Sequence, residues 1–238
     1  MRSWNASLVA SAVALVSLQA SATPLRAVQS APPAAPQAAP PAVPQVAPQV
    51  VDAQTLLAAF ARMSGMEARF EEEKHLSLLA APLKSRGHIY FMRPGYLTRI
   101  VEAPEAATLR ISPNELKLSG RDGEERIDLR QNDAVRVFVS SLVQVFSGDA
   151  VALERSYAVA FERRPDDPQA WTLTLTPLAK PLTDMLAALS LAGHGFVVSS
   201  IEVREPNGDR TVTRVVEVDV ERRFTAEEQQ TLFGIVPP

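Results

Sequence analysis

The sequence predicts an α+β protein built on one curved antiparallel β-sheet of about ten short strands, with about three helices on one face. Three observations point there. Between residues 67 and 220, apolar and polar side chains alternate in short runs, the period of half-buried strands. Tight-turn dipeptides separate the runs, at Pro94-Gly95, Asp122-Gly123 and Asn207-Gly208. Strands mostly follow strands, so a parallel βαβ sheet is not expected, and no period repeats along the chain.

The 238-residue chain opens on a different kind of segment. Arg2 gives a short positive region, Leu8 to Leu18 is apolar apart from serines, and Ala20-Ser21-Ala22 has the small-residue pattern of a cleavage site. Residues 1–22 read as a secretory signal peptide, too short to span a hydrocarbon core of about 30 Å. Residues 23–51 read as a Pro/Ala-rich disordered tether, with seven prolines between Pro32 and Pro48. Each proline fixes φ and removes a backbone donor, which favours an extended polyproline-like spacer. The remainder, 52–238, is expected to be one domain with a single core.

Within that domain, Asp52 is a good N-cap, and Leu56, Leu57, Phe60 and Met63 follow at helical spacing, which predicts a helix over 52–63. Strands are predicted over 67–77, 86–93 and 96–103, the third stopped by Pro104. Leu109 and Ile111, Leu116 and Leu118, and Ile127 and Leu129 mark three shorter strands. Asp133 opens a second helix with Val135, Val139, Leu142, Val143 and Phe146 on one face, and Gly148 stops it. Tyr157–Phe161 returns as a strand, followed by Trp171, Leu173 and Leu175 in strict alternation with threonines. Residues 181–187 suit a short third helix. Residues 195–204 and 210–220 form a hairpin about Asn207-Gly208, and Thr225 with Glu228 makes a capping box before a brief C-terminal turn.

Composition narrows the function classes. Net charge is −3 and the isoelectric point about 5.7, without the basic excess that a phosphate backbone requires, so no nucleic-acid partner is expected. There is no cysteine, hence no disulfide, no thiolate zinc site and no lipidated N-terminal cysteine. His75, His88 and His194 lie far apart in sequence, outside metal-ligand spacing; His88 reads as a strand-surface residue and His194 as part of a turn. No G-x-S-x-G elbow or phosphate-binding loop occurs. No catalytic residue, metal or cofactor is therefore assigned, and an enzyme is not expected; an envelope hydrolase with ungrouped Ser and Asp residues is the remaining catalytic alternative. Glu71-Glu72-Glu73 reads as a solvated or edge-protecting patch.

The stretch from Met66 to Pro104 carries a more specific pattern. Gly87, Ile89, Phe91, Arg93 and Pro94 stand in a G-x-hydrophobic-x-hydrophobic-x-R-P order, and a strand ending at a proline follows. With the helix at 133–146, the Trp171-x-Leu173-x-Leu175-x-Pro177 strand and the Gly208-Asp209-x-Thr211 hairpin, this order resembles the LolA-type outer-membrane lipoprotein carriers over roughly residues 52–235, in a divergent branch. The resemblance implies an incomplete, half-open antiparallel barrel, capped by helices around an apolar cavity lined by Phe70, Ile89, Phe91, Leu97, Val101, Trp171 and Leu173. It implies that Arg93 latches the helical lid through backbone carbonyls. It further implies a monomeric periplasmic carrier of an acylated protein or lipid-like cargo, with an inner-membrane transporter as donor and an outer-membrane acceptor. An envelope sensor or regulator using the same half-barrel is the alternative. The chain departs from the family at Leu97 and Arg99, where aromatics are usual, and in its 6% aromatic content. A second inward charge at Arg99 is expected to meet an anionic head group or carboxylate.

Overall fold

The computed structural model describes residues 51–235, apart from the side chains of Ser141 and Leu142. The expected signal peptide, all but the last residue of the tether, and the placement of Leu142 therefore lie outside the described residues. The eleven strands form one antiparallel sheet, one more than expected: β1 (Gly65–His75), β2 (Leu83–Met92), β3 (Tyr96–Ala103), β4 (Ala107–Ile111), β5 (Glu115–Gly120), β6 (Gly123–Asp128), β7 (Tyr157–Arg164), β8 (Asp167–Pro177), β9 (Ala188–His194), β10 (Val197–Arg204) and β11 (Arg210–Asp219). Among the described residues five helices accompany it where about three were expected: α1 (Ala53–Arg62), α2 (Asp133–Ser147), α3 (Ala150–Ser156), α4 (Leu182–Met185) and α5 (Ala226–Phe233).

The spatial order is β6-β5-β4-β3-β2-β1-β11-β10-β9-β8-β7. Two antiparallel meanders are joined at the centre, where β1 pairs with β11 from Glu67 opposite Asp219 to His75 opposite Arg210. The two edges, β6 and β7, are consecutive in sequence, yet they do not pair. The chain between them forms α2 and α3 instead, so the barrel stays open. Register shifts at Arg69/Phe70, Arg86/Gly87 and Val198/Ser200 add local twist to the sheet.

Strand parity sets what faces inward. On β1, Met66, Ala68, Phe70, Glu72 and Lys74 are buried, and on β8 Trp171, Leu173 and Leu175 are buried. The helices cover this concave face. Leu56, Leu57 and Phe60 of α1, Val145 of α2, Leu153 of α3 and Leu182 of α4 pack on β7, β8 and β9. Val135 and Val139 of α2 pack on Leu97, Ile111, Leu116 and Ile127 of β3–β6. The helices owe their starts to caps: Asp52 accepts from the Thr55 N–H at 2.7 Å, Asn132 from Val135 at 3.1 Å and Asp149 from Ala152 at 3.0 Å. On the convex face, α5 sits over β3, with Thr98 Oγ1 donating to the Leu232 carbonyl at 2.8 Å and Phe233 packed edge-on against Tyr96. Among the described residues no helix is long and apolar enough to cross a membrane.

Candidate functional site: the helix-covered concave face

The expected lining residues are all buried, but they fall into three packed groups rather than one. Phe70, Ile89, Phe91 and Val101 form the central group with Met63, Met66 and Ala68, and the Phe91 ring stacks on Phe146 of α2 at 5.7 Å. Leu97 belongs to the group under α2. Trp171 and Leu173 belong to the group under α1, α3 and α4. Trp171 is further fixed by its indole N–H, which donates to the Gly195 carbonyl at 2.7 Å. Its ring lies where a side chain on Gly193 would project, with an alanine Cβ there only 2.4 Å away. The outer edge of Trp171 backs a surface cleft of about 330 Å³, lined mainly by polar residues such as Glu162, Arg163, Arg164 and Ser199.

Arg93, at the end of β2, joins the helical cover to the sheet. Its Nε donates to the Met63 carbonyl at 2.7 Å, and one Nη donates to Phe60 at 3.0 Å and Ser147 at 3.2 Å. A single planar guanidinium thus takes carbonyls from the C-terminal ends of both α1 and α2, where the helix ladder runs out of donors; the Phe60 carbonyl accepts from the Met63 N–H as well. The two helix ends meet there because of Gly148. It caps α2 with φ 67° in the left-handed region, and a Cβ on it would fall 2.0 Å from the Leu57 carbonyl oxygen.

Toward the end of the sheet where β1 finishes, the concave face turns polar. Glu72 is 2% exposed and Arg99 6% exposed, so the reading of the acidic run as a solvated or edge-protecting patch fails at its middle residue. β1 is the central strand, and period 2 places Glu72 on the same face as Phe70 while Glu71 and Glu73 point outward. The Glu72 carboxylate accepts from Thr213 Oγ1 at 2.6 Å on β11 and from Ser85 Oγ at 3.3 Å on β2, and pairs with Arg99 of β3 at 3.0 Å. The Arg99 guanidinium lies 3.9 Å above the Phe70 ring. Within the chain, the carboxylate opposite Arg99 is that of Glu72. Lys74 and Glu205 form a second pair at 3.5 Å, with side chains 2% and 7% exposed. Burial pushes the Glu72 carboxyl above the usual carboxylate range, against the opposing pull of Arg99; burial also pushes Arg99 down, against Glu72.

Glu72, Lys74, Ser85, Thr213 and Glu205 were absent from the expected site. Parity with Met66, Ala68 and Phe70 was the signal that would have found Glu72 and Lys74. His88 does lie on the outer surface, near Glu102 at 3.0 Å. His194 is the last residue of β9 rather than part of a turn.

An open antiparallel sheet with helices latched across its apolar concave face defines a class of half-barrel shells. The chain belongs to the outer membrane lipoprotein carrier protein LolA-like family, whose model matches residues 45–231. No curated protein matches it. Among solved structures, a LolA superfamily protein from Nitrosomonas europaea is similar at 12% identity, covering 74% of this chain and 96% of that one, with a TM-score of 0.39. An outer membrane lipoprotein-sorting protein domain from Vibrio parahaemolyticus matches at 11% identity, over 75% and 94% of the chains, with a TM-score of 0.42. The Pseudomonas aeruginosa MucA/MucB complex matches at 14% identity with a TM-score of 0.43; the match takes in 76% of this chain and 61% of that one.

Proposed function

We propose that this protein is a periplasmic carrier that takes the acyl chains of a lipoprotein or lipid-like cargo onto its concave face and moves them from the inner to the outer membrane. The observation that carries the reading is the way the apolar face is closed. It is covered by helices held at their C-terminal ends by one side chain, Arg93, and not by pairing of β6 with β7. Such a cover can lift without unzipping a sheet. An acyl chain hidden from water gains about 0.8 kcal/mol per CH₂. Leu57, Phe60, Val139 and Phe146 already satisfy the sheet in the covered state, so an entering chain exchanges one apolar contact for another. That near-balance lets a carrier both load and release. The carrier works as a monomer, receives cargo from an inner-membrane transporter and delivers it to an outer-membrane acceptor; no step calls for catalysis.

Native mass spectrometry with lipid extraction, on protein recovered from the cell envelope, tests this. A bound acylated species is expected. A clean apo mass, together with no uptake of added lipoprotein or lipid, refutes carriage; a stable protein partner without acylated cargo would instead favour a sensor or regulator.

A further inference from the structure

The connection between β1 and β2 is apolar and exposed. From Leu76 to Leu83 it reads LSLLAAPL, without a charge. Leu78 is 94% exposed and Leu79 47% exposed, and Ala80 and Ala81 are exposed beside them. The tip is built rather than loose. The Leu79 N–H donates to the Leu76 carbonyl at 3.0 Å, and the Ser77 N–H to Asp209 Oδ1 at 2.8 Å, with Asn207 bracing the other carboxylate oxygen at 3.0 Å. Two leucines are therefore held out into water by a fixed turn, although burying them would be favourable. Leu178, 57% exposed, follows β8 on the same rim of the sheet.

Behind the tip, the convex face carries Lys84 and Arg86 on β2 and Arg210 and Arg214 on β11, all exposed. Their acidic neighbours on this face are Glu71 and Glu73 on β1 and Glu202 on β10, the last held by Arg204 at 2.5 Å. Glu73 is shared among Lys84 at 3.2 Å, His75 at 3.8 Å and Arg214 at 3.8 Å, so the collar keeps a cationic excess on a chain of net charge −3. An apolar point with cations set one to two strand pairs behind it matches a surface with anions outside and hydrocarbon beneath.

We infer that the β1–β2 tip is a membrane-contact site. It inserts Leu78 and Leu79 into an anionic phospholipid bilayer while Lys84, Arg86, Arg210 and Arg214 rest on the phosphates. The inference stands on the tip alone and does not rest on the cargo reading.

With no cysteine in the chain, Ala80→Cys gives one attachment point for an environment-sensitive fluorophore and keeps both leucines. In the full-length chain the dye is expected to brighten and shift to the blue on phosphatidylglycerol/phosphatidylethanolamine vesicles, and to be quenched by spin labels on the lipid tails. Leu78→Asp in that background should weaken vesicle binding at least about ten-fold. Arg86→Gln should weaken it about five-fold, and high salt should weaken it further. The same dye at Phe196→Cys, on the opposite rim, should stay unchanged. Three results overturn the proposal: no response on any vesicle at low salt; an equal, salt-insensitive response on pure phosphatidylcholine; or a response only to membranes that retain their proteins, which would assign the tip to a protein partner. A chain that carries cargo but ignores vesicles, or the reverse, separates this inference from the carrier reading.

Discussion

Replacing Arg93 by methionine keeps an apolar stem of similar length and removes the whole guanidinium fork. Three carbonyls lose a charged donor, at 2.7, 3.0 and 3.2 Å. The Phe60 carbonyl keeps the Met63 N–H at 3.1 Å, so Met63 and Ser147 dominate the loss. Hydrogen bonds to a charged group contribute about 1.5–3 kcal/mol each, and the two share one side chain, which puts the effect at about 3–5 kcal/mol on opening of the helical cover. At 1.4 kcal/mol per factor of ten, the open population rises between about 10²-fold and about 4 × 10³-fold. Hydrogen exchange read by mass spectrometry should show this as lost protection in α1, while the β1–β11 seam keeps its own, because nothing in the seam touches Arg93. Arg93→Lys should recover only part of it, since a point charge cannot hold three carbonyls at two helix ends. If protection falls equally in α1 and the seam, or does not change in α1, Arg93 is not a latch.

Two further outcomes follow from the same face. Arg99→Met strips Glu72 of its counter-charge and should cost about 3–5 kcal/mol at neutral pH in urea unfolding, whereas Glu72→Leu with Arg99→Met should recover most of that. Burial already raises the Glu72 pKa above 4.5, so its contribution is present below that value and is lost as pH rises through the raised pKa. Without Arg99 the carboxyl rises further, and the Arg99→Met deficit should shrink as pH falls toward that ordinary value; a deficit that ignores pH would contradict the pairing. Gly148→Ala should destabilise by about 2–4 kcal/mol through the left-handed φ and the collision with Leu57, while alanine at Gly123, which meets nothing within 4 Å, should be the milder change in thermal unfolding.

Most of the sheet was legible because its strands keep strict alternation. Trp171, Leu173 and Leu175 all point inward as read, and the Asn207-Gly208 turn joins β10 to β11. β9 escaped notice because Ala188, Ser190 and Ala192, which alternate with its inward Leu189 and Leu191, are too small and weakly polar to mark an outer face. α3 was missed because Gly148-Asp149 looks like a stop; Asp149 instead caps a new helix one residue after the first has ended. The polar end of the concave face was hidden by a different effect. Charge suggests solvent when a residue is read alone; burial of Glu72 becomes tolerable through Thr213, Ser85 and the counter-charge of Arg99, which the sheet brings to it from neighbouring strands.

The seam between β1 and β11 also sets an order of assembly. β1 through β6 and β7 through β11 can each zip up from adjacent hairpins as they emerge, with short loops to close. The central ladder must wait for the last strand, and it joins residues from opposite ends of the domain. Until then the molecule is two half-sheets, each with an unfinished inner edge at the middle of the future shell. A cut in the α2–α3 link would, by the same logic, divide the folded protein into two pieces, reunited by the seam together with α1 on β7–β9 and α5 on β3.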